Sequence, residues 1–549
     1  MKTIIVGGVA AGTSVAAKLR RNSEEEEIVL YEKGEYISYS TCGMPYFLGH
    51  EEISRTDLTP RDPEWFRKRF AMHIQTRHEV LSIDRENKHI EVHNLTSGER
   101  WKEGYDRLVL ATGSFAVHPK IEGIQKSHVH VLKHMEDAVG LDSYIRQHQV
   151  QTAVIIGSGF IGLEILENLI KRGIQCQLIE AQNHLLPALD ADMSIWLEDY
   201  LKEKKISFSV QEMVSEIDDK QIRCRSGYTA DADLVIVAAG VAPETRLARE
   251  AGIEIGSTGA IKVDDQMQTS VPDILAVGDC AESWSIASGQ PLYRPMGSTA
   301  NKTGRIAGDV LGSSPASLRF EGVLGTGILK FFDLEVGFTG LSHRYAKKAG
   351  YDCELIHVIK ENQSSYLSEA RQMVIKALAD RKTGKLLGVQ IIGQKGVDKR
   401  LDVFVTAMTF GATVKDLFKL DLCYAPPFST TKDPVMYTGM ILTNAIYHNR
   451  RIILPEDLIG REEEYTIIDV RSASDFAKSH IPTAVNIPLA ELRSKIDWLK
   501  KSDKPLVTHC NKGTTGNAAQ NVLLNSGFSE VYNISGGYKN YSMTRRYMG

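Results

Sequence analysis

One glycine-turn device is used twice, 150 residues apart, and it limits the fold more than any other feature of this chain. Thr3 to Gly12 reads TIIVGGVAAG and Ala153 to Gly162 reads AVIIGSGFIG. Each is followed by a helix-like stretch and a second apolar strand ending in an acid, Glu32 of VLYEK and Glu180 of QLIEA. This is the order of a strand, a tight turn, a helix whose N-terminus faces a pyrophosphate, and a carboxylate that accepts ribose hydroxyls. Two nucleotide sites are therefore expected. The second copy has all three glycines, Gly157, Gly159 and Gly162, and no Arg follows Glu180. A carboxylate there repels a 2'-phosphate, so NADH is expected over NADPH. The first copy departs from the pattern, with Val9 where the second glycine would stand.

A second repeated pair supports the duplication. DRLVLATG (106 to 113) and DLVIVAAG (233 to 240) each read as a buried strand ending in a small-residue turn. TSVPDILAVGDCA (269 to 281) then delivers Asp279 after Gly278, an acid able to bind a sugar-alcohol chain. The order predicts an α/β protein with two nested Rossmann-like domains, an outer one at 1 to 117 plus 248 to 317 and an inner one at 118 to 247. Residues 318 to 446 lack a glycine fingerprint and alternate strand-like stretches with an amphipathic helix from Val397 to Phe410, an α+β module. A charged connector, 447 to 464, precedes a small α/β segment at 465 to 549 with its own βαβ rhythm.

At 549 residues and 42% hydrophobic, with only 17 prolines, the chain is long enough for several cores and reads as folded and soluble. A net charge of −4 supplies no domain-wide basic field for nucleic acid or an anionic membrane. The start looks superficially like a signal peptide, but its apolar run is the glycine fingerprint itself, and no run of 18 apolar residues follows elsewhere. The histidines lack ligand spacing, so no metal is expected. The Glu24 to Glu27 run reads as a solvated helix end. Lys18, Arg20 and Arg21 read as a solvated face or the seat of a ligand phosphate.

The seven cysteines are scattered without a CxxC pair, which disfavours a disulfide framework and favours a reducing, cytoplasmic setting. Cys42, in SYSTCGMP (38 to 45), sits in a Gly-flanked loop opening a helix, where backbone N–H groups and the helix dipole favour a thiolate. The plainer reading is a buried packing cysteine. No second cysteine lies nearby, so Cys42 must act singly, through a mixed disulfide or a sulfenic acid. Cys510 follows a strand and opens CNKGTTG (510 to 516), a loop at a helix N-terminus suited to hold a persulfide; an incidental strand-end cysteine is its plainer reading. The other five are expected to be packing, with Cys280 the likeliest exception.

Taken together, the chain resembles coenzyme A disulfide or persulfide reductases with a C-terminal rhodanese domain, within the single-cysteine pyridine nucleotide-disulfide oxidoreductases. The pieces that carry the resemblance are GGVAAG (7 to 12), SYSTCGMP, ATGS (111 to 114), GSGFIG (157 to 162), AVGD (276 to 279), MGSTANKTGR (296 to 305), IIDVRSASDFAKSHIPTAVNIP (467 to 488) and ISGGYKNY (534 to 541). The family's first fingerprint often carries a valine where Val9 stands. The resemblance implies FAD held by Gly7, Val9, Ala10, Gly12, Glu32, Lys33 and Val80, with Ala111, Thr112, Gly113, Gly278 and Asp279, and Ala300 near the flavin ring. It implies NADH at Gly157, Gly159, Phe160, Ile161, Gly162, Glu164, Glu180 and Gly240. Residues 318 to 446 would be the dimerisation domain of a homodimer. DLCYAPPFS (421 to 429) resembles the segment that reaches the partner's site, making Tyr424, and secondly Tyr366, candidate donors beside the catalytic sulfur.

Lys18, Arg21, Ser38 and Thr41 fall at positions that contact coenzyme A in the family. Thr41 stands where members commonly have Asn, and Thr515 where rhodaneses usually carry Arg, so thiosulfate recognition is weakened unless Lys512 compensates. The implied activity is NAD(P)H-dependent reduction of a coenzyme A persulfide or disulfide through Cys42, with sulfur relay at Cys510. Two other readings stand beside it: an NADH oxidase or peroxidase using a Cys42 sulfenic acid, and a flavin-bearing redox sensor or sulfur-carrier scaffold.

Overall fold

A computed structural model describes residues 1–313 and 315–548. The chain divides into two compact units, Met1–Asn183 with Ile206–Val323, and His184–Lys205 with Leu324–Gly549.

The first unit holds two five-stranded parallel sheets built on one plan. In one, the strands run Ile274–Ala276, Arg107–Leu110, Lys2–Val6, Glu27–Glu32, His73–Thr76 across the sheet. In the other they run Ser207–Ser209, Gln175–Ile179, Thr152–Ile156, Leu234–Val237, Val129–His130. Ile4, Ile5, Val154 and Ile155 are fully buried, as strands covered on both faces must be. In each sheet the glycine turn leaves the central strand, at the point where the strand order reverses, and opens a helix: Ala10–Asn22 or Phe160–Lys171. A paired segment, Ser114–Ala116 against Val241–Pro243, lies where the chain leaves the first sheet's region and where it returns.

Helix Ala10–Asn22 packs on Gly297–Gly312 at unusually close range. A Cβ at Gly304 would stand 2.5 Å from the Ala11 carbonyl oxygen and one at Gly308 2.6 Å from that of Val15. The i, i+4 glycines thus bring the two helix backbones into contact. The charged residues at the end of the first helix are not all solvated. Arg20 is buried, donating to the carbonyls of Phe70, Ser23, Glu24, Glu26 and Ala71. Glu26 is buried too and pairs with Arg107 at 2.7 Å. A guanidinium can enter a core when its donors find carbonyls, which composition alone does not reveal.

The second unit contains an antiparallel sheet ordered Gly327–Phe331, Leu334–Gly340, Leu386–Gly393, Gln372–Asp380, Cys353–Glu361. Val397–Thr409 is helical, and its buried Arg400 bonds Asp433, Ser429 and the Asn362 carbonyl. A separate parallel sheet runs Ile452–Ile453, Val531–Ile534, Leu506–His509, Thr466–Asp469, Val485–Asn486. Two expectations differ here. The connector 447 to 464 supplies the edge strand Ile452–Ile453, an adjacent apolar pair after Arg450 and Arg451 whose Ile453 enters the core. Helix Ala191–Glu203, expected with the inner nucleotide domain, belongs to the second unit, where Asp190 and Asp192 pair with the buried Lys376.

Candidate active site

The two nucleotide cradles are nearly superposable in their logic. Gly7 and Gly157 adopt φ of 109° and 103°, and a Cβ on either would strike a backbone oxygen, Ala111 at 2.1 Å or Ala238 at 2.4 Å. Gly12 and Gly162 lie against the carbonyls of Gly7 and Gly157, at 1.9 and 2.0 Å from their added Cβ positions. No side chain caps either helix, since Val9 and Gly159 occupy the N-caps and offer no oxygen. A phosphate fits that role at both cradles, whose first-turn N–H groups are left uncapped by side chains. Gly159 faces open space, with no atom within 4 Å of an added Cβ. The acids fold back onto the turns. Glu32 accepts from the N–H of Gly8 at 2.7 Å and of Gly34 at 2.8 Å. Glu180 accepts from the Ser158 N–H and hydroxyl and from the Gln182 N–H.

The other residues expected around the first nucleotide are brought together unevenly. Gly113 and Gly278 both have positive φ, and Gly278 faces Ala11 and Ala300, the latter buried near the start of its helix. Asp279 accepts from the Ser114 hydroxyl at 2.9 Å and lies 3.7 Å from Lys133. Thr112 donates to the Glu244 carbonyl. Ala10 begins the first helix. Lys33 is paired with Glu79 at 2.9 Å. The Val80 side chain is core, so only its backbone can meet a ligand. Around the second nucleotide, Ile161 follows Phe160 in the first turn of its helix, and Gly240 has a φ of 101°.

Cys42 is exposed on the short helical turn Thr41–Gly43, ahead of helix Met44–Gly49. The protein's own groups do not favour its thiolate, contrary to the expectation from the loop. Exclusion of water by the surrounding protein, then the charges of Glu164 and Asp279, push the thiol up, with Lys133 opposing. Glu164 itself is pushed up to about 7, by burial and then by Glu167, against a hydrogen bond from Tyr46. A positive or polarising ligand beside Cys42 would therefore have work to do in ionising it.

The segment just before Cys42 also lines a cavity of about 590 Å³. Ser38, Tyr39, Val9 and Ser14 form part of its wall, and Lys18, Arg21, Arg61, Arg69 and Arg305 bring five cations to it. Lys18 is anchored by Asp309 at 3.0 Å. Trp65 lies between Arg61 and Arg69, their guanidinium carbons 5.1 and 5.6 Å from its ring centre. Thr41 is half-buried and outside this lining. Arg61, Arg69, Arg305 and Trp65 were not singled out from sequence. The signal for Arg61, Trp65 and Arg69 was the Arg and aromatic density of RDPEWFRKRF, which reads equally as a surface helix, and Arg305 closes the MGSTANKTGR stretch without marking itself as a ligand cation.

In the second unit, Cys510 is buried at the end of strand Leu506–His509, and its carbonyl accepts from the Tyr538 N–H. Its loop turns at Gly513, φ 94°, into helix Thr514–Asn525, with Thr515 exposed. Lys512, the cation of this loop, is hydrogen-bonded to Glu361. Tyr366 and Tyr424 lie on the surface, 75% and 49% exposed. Cys280 is fully buried and donates to the Leu110 and Val277 carbonyls, so it is packing after all. Cys423 is the correction among the five, since it is exposed in an irregular, proline-rich stretch. Among the described residues no group of three or more side chains is placed to hold a metal, and no helix is long and apolar enough to cross a membrane.

Comparison with known proteins agrees with this anatomy. Residues 1–294 match the pyridine nucleotide-disulphide oxidoreductase model, 327–434 its dimerisation domain, and 454–544 the rhodanese-like domain. The coenzyme A disulfide reductase of Staphylococcus haemolyticus is 30% identical over 438 residues, 80% of this chain and 98% of that one. The crystal structure of reduced Bacillus anthracis CoADR-RHD is 36% identical with a TM-score of 0.96, covering 99% of this chain and 98% of the other. The NAD-dependent persulfide reductase of A. fulgidus is 32% identical with a TM-score of 0.91, covering 98% and 100%. A chain with two glycine-turn cradles and one exposed cysteine beside the first belongs to the pyridine nucleotide-disulphide oxidoreductases, an FAD- and NAD(P)H-dependent family, and carries a C-terminal rhodanese-like domain.

Proposed function

We propose that the protein reduces coenzyme A persulfide or coenzyme A disulfide at Cys42 with electrons from NADH. The observation that carries this reading is the five-cation cavity, whose wall includes the chain leading to Cys42. Phosphates of coenzyme A suit such a cavity, whereas oxygen or peroxide has no use for it. Gly7, Gly12, Glu32, Asp279 and their neighbours would hold FAD, which supplies the two-electron conduit between nicotinamide and sulfur. Glu180, followed by Ala181 and not by a cation, supports NADH over NADPH.

The Cys42 thiolate attacks the carbon-bearing sulfur of the persulfide, forming Cys42–S–S–CoA and expelling hydrosulfide. With coenzyme A disulfide the same attack expels a coenzyme A thiolate. Two electrons and one proton then cleave the mixed disulfide to coenzyme A and the Cys42 thiolate. Lys18, Arg21, Arg61, Arg69 and Arg305 hold the phosphates and Ser38 the arm between them and the thiol. Glu164, near neutrality in its titration, holds a proton for the sulfur in this reading, supported by its charge coupling to Cys42. In a homodimer, Tyr366 and Tyr424 of one subunit are assigned as hydrogen-bond donors to the sulfur site of the other. Cys510 carries sulfane sulfur. We place the enzyme in the cytoplasm, where its thiols stay reduced.

The test is anaerobic NADH oxidation with coenzyme A persulfide, then with the disulfide, recording sulfide, for wild type and Cys42→Ser. Rapid turnover with one sulfide per NADH, lost in the variant, is the expected result. NADH consumption only on admitting oxygen or peroxide would replace this reading by an oxidase.

A further inference from the structure

The loop of Cys510 is docked, within the second unit, onto the end of the β-hairpin formed by Cys353–Glu361 and Gln372–Asp380. Glu361 and Gln372 face each other in its register. Lys512, the one cation of the CNKGTTG loop, is hydrogen-bonded to Glu361, and Lys539 to Gln372. The Lys539 N–H also donates to the Asn511 carbonyl at 3.0 Å, so both lysines tie the loop to this edge. Ser535, two residues before Gly537, which lies against the Cys510 carbonyl, accepts from the His357 N–H of the same hairpin at 2.6 Å. Burial opposes ionisation of Glu361, yet the Lys512 hydrogen bond and charge hold its carboxyl below the usual range, so the pair is ionic.

We propose that Glu361 is a positioning residue that sets the donor specificity of Cys510, by neutralising Lys512 and holding it off the sulfur. The inference rests on the sulfur-relay reading of Cys510. A dianionic donor such as thiosulfate needs a cation beside the attacked sulfur. Thr515 offers none, and Lys512 is spent on Glu361. The loop is thereby tuned to donors that carry little charge at the reacting sulfur, such as an alkyl persulfide. The reaction withheld is Cys510–S⁻ plus S–SO₃²⁻ giving Cys510–S–S⁻ plus SO₃²⁻, followed by transfer of the outer sulfur to cyanide as thiocyanate, which regenerates Cys510–S⁻. Sulfur passes as a neutral atom in both steps, and no outside oxidant or reductant is required.

The experiment measures thiocyanate from thiosulfate and cyanide with the full-length holoenzyme, for wild type, Glu361→Gln, Glu361→Gln/Lys512→Ala and Cys510→Ser. Flavin content and Tm establish that each variant is folded. Glu361→Gln is expected to raise kcat/KM for thiosulfate about tenfold at low ionic strength, the gain shrinking in 0.5 M salt as a freed surface charge is screened to a range of about 4 Å. Adding Lys512→Ala should erase the gain. A folded Glu361→Gln protein within twofold of wild type, or without detectable thiocyanate, overturns the proposal. So does a gain that survives in the double variant or is indifferent to salt. Thiocyanate formed equally by Cys510→Ser would instead overturn the sulfur-relay reading itself.

Discussion

Three glycines of the second fingerprint should fail in different ways when replaced by alanine, and the contrast separates ligand contact from fold. Gly159 has φ −68° and ψ −174°, values open to any residue, and its added Cβ meets nothing within 4 Å. Gly159→Ala should therefore keep or raise stability, by about 0.4–1 kcal/mol through a less flexible unfolded chain. The same methyl projects into the open space before helix Phe160–Lys171, where the pyrophosphate is assigned. Displacing one charged hydrogen bond costs about 1.5–3 kcal/mol, or about ten- to a hundred-fold in Kd for NADH. Gly162→Ala is the opposite case. Its Cβ would lie 2.0 Å from the Gly157 carbonyl oxygen, a backbone atom that cannot step aside, so overpacking of about 1–3 kcal/mol or more is expected, with a lower Tm. Gly157→Ala adds a φ of 103° to a 2.4 Å clash. Equilibrium titration with NADH and thermal unfolding decide the matter. An unchanged NADH affinity in a stable Gly159→Ala protein would show that the pyrophosphate does not lie over this turn.

Removing Arg61 or Arg305 by alanine should raise KM for a coenzyme A persulfide about tenfold with little change in kcat, measured as initial rates across salt, because both cations line the cavity and Cys42 does not. Glu164→Gln should stabilise the protein at pH 8 more than at pH 5. Its folded-state value of about 7 lies above the ordinary 4.5, so folding favours the protonated acid, and the cost of ionising it grows from about pH 4.5 to 7 and is constant above. A Tm difference of equal size at both pH values would contradict the burial argument. Arg400→Ala leaves Asp433 buried without its cation and should cost about 3–5 kcal/mol by denaturant unfolding. Near-wild-type stability there would mean that water replaces the guanidinium.

Sequence alone reached the two nucleotide cradles because their chemistry is local. A positive φ, a close helix start and an acid at the end of the next strand fall at fixed short spacings, so Gly7, Gly12, Glu32, Gly157, Gly162 and Glu180 were legible as residues. The loops of Cys42 and Cys510 stand next to helix starts as their small residues suggested, but the charges around Cys42, which raise its thiol, come from Glu164 and Asp279 far along the chain. Tertiary structure decided what depends on charges distant in the chain. Arg305 meets Lys18 only once two helices touch through Gly304 and Gly308, and Arg61 and Arg69 join them only when helix Pro63–Phe70 folds against the same cavity. Arg20 and Glu26 looked like surface charges until their carbonyl and guanidinium partners were folded around them. Lys512 looked like a substitute for the missing Arg until Glu361, 151 residues earlier, was found bonded to it. Backbone conformation is written in neighbouring residues, but electrostatic environment is a sum over whatever the fold brings near, and only the folded chain supplies that sum.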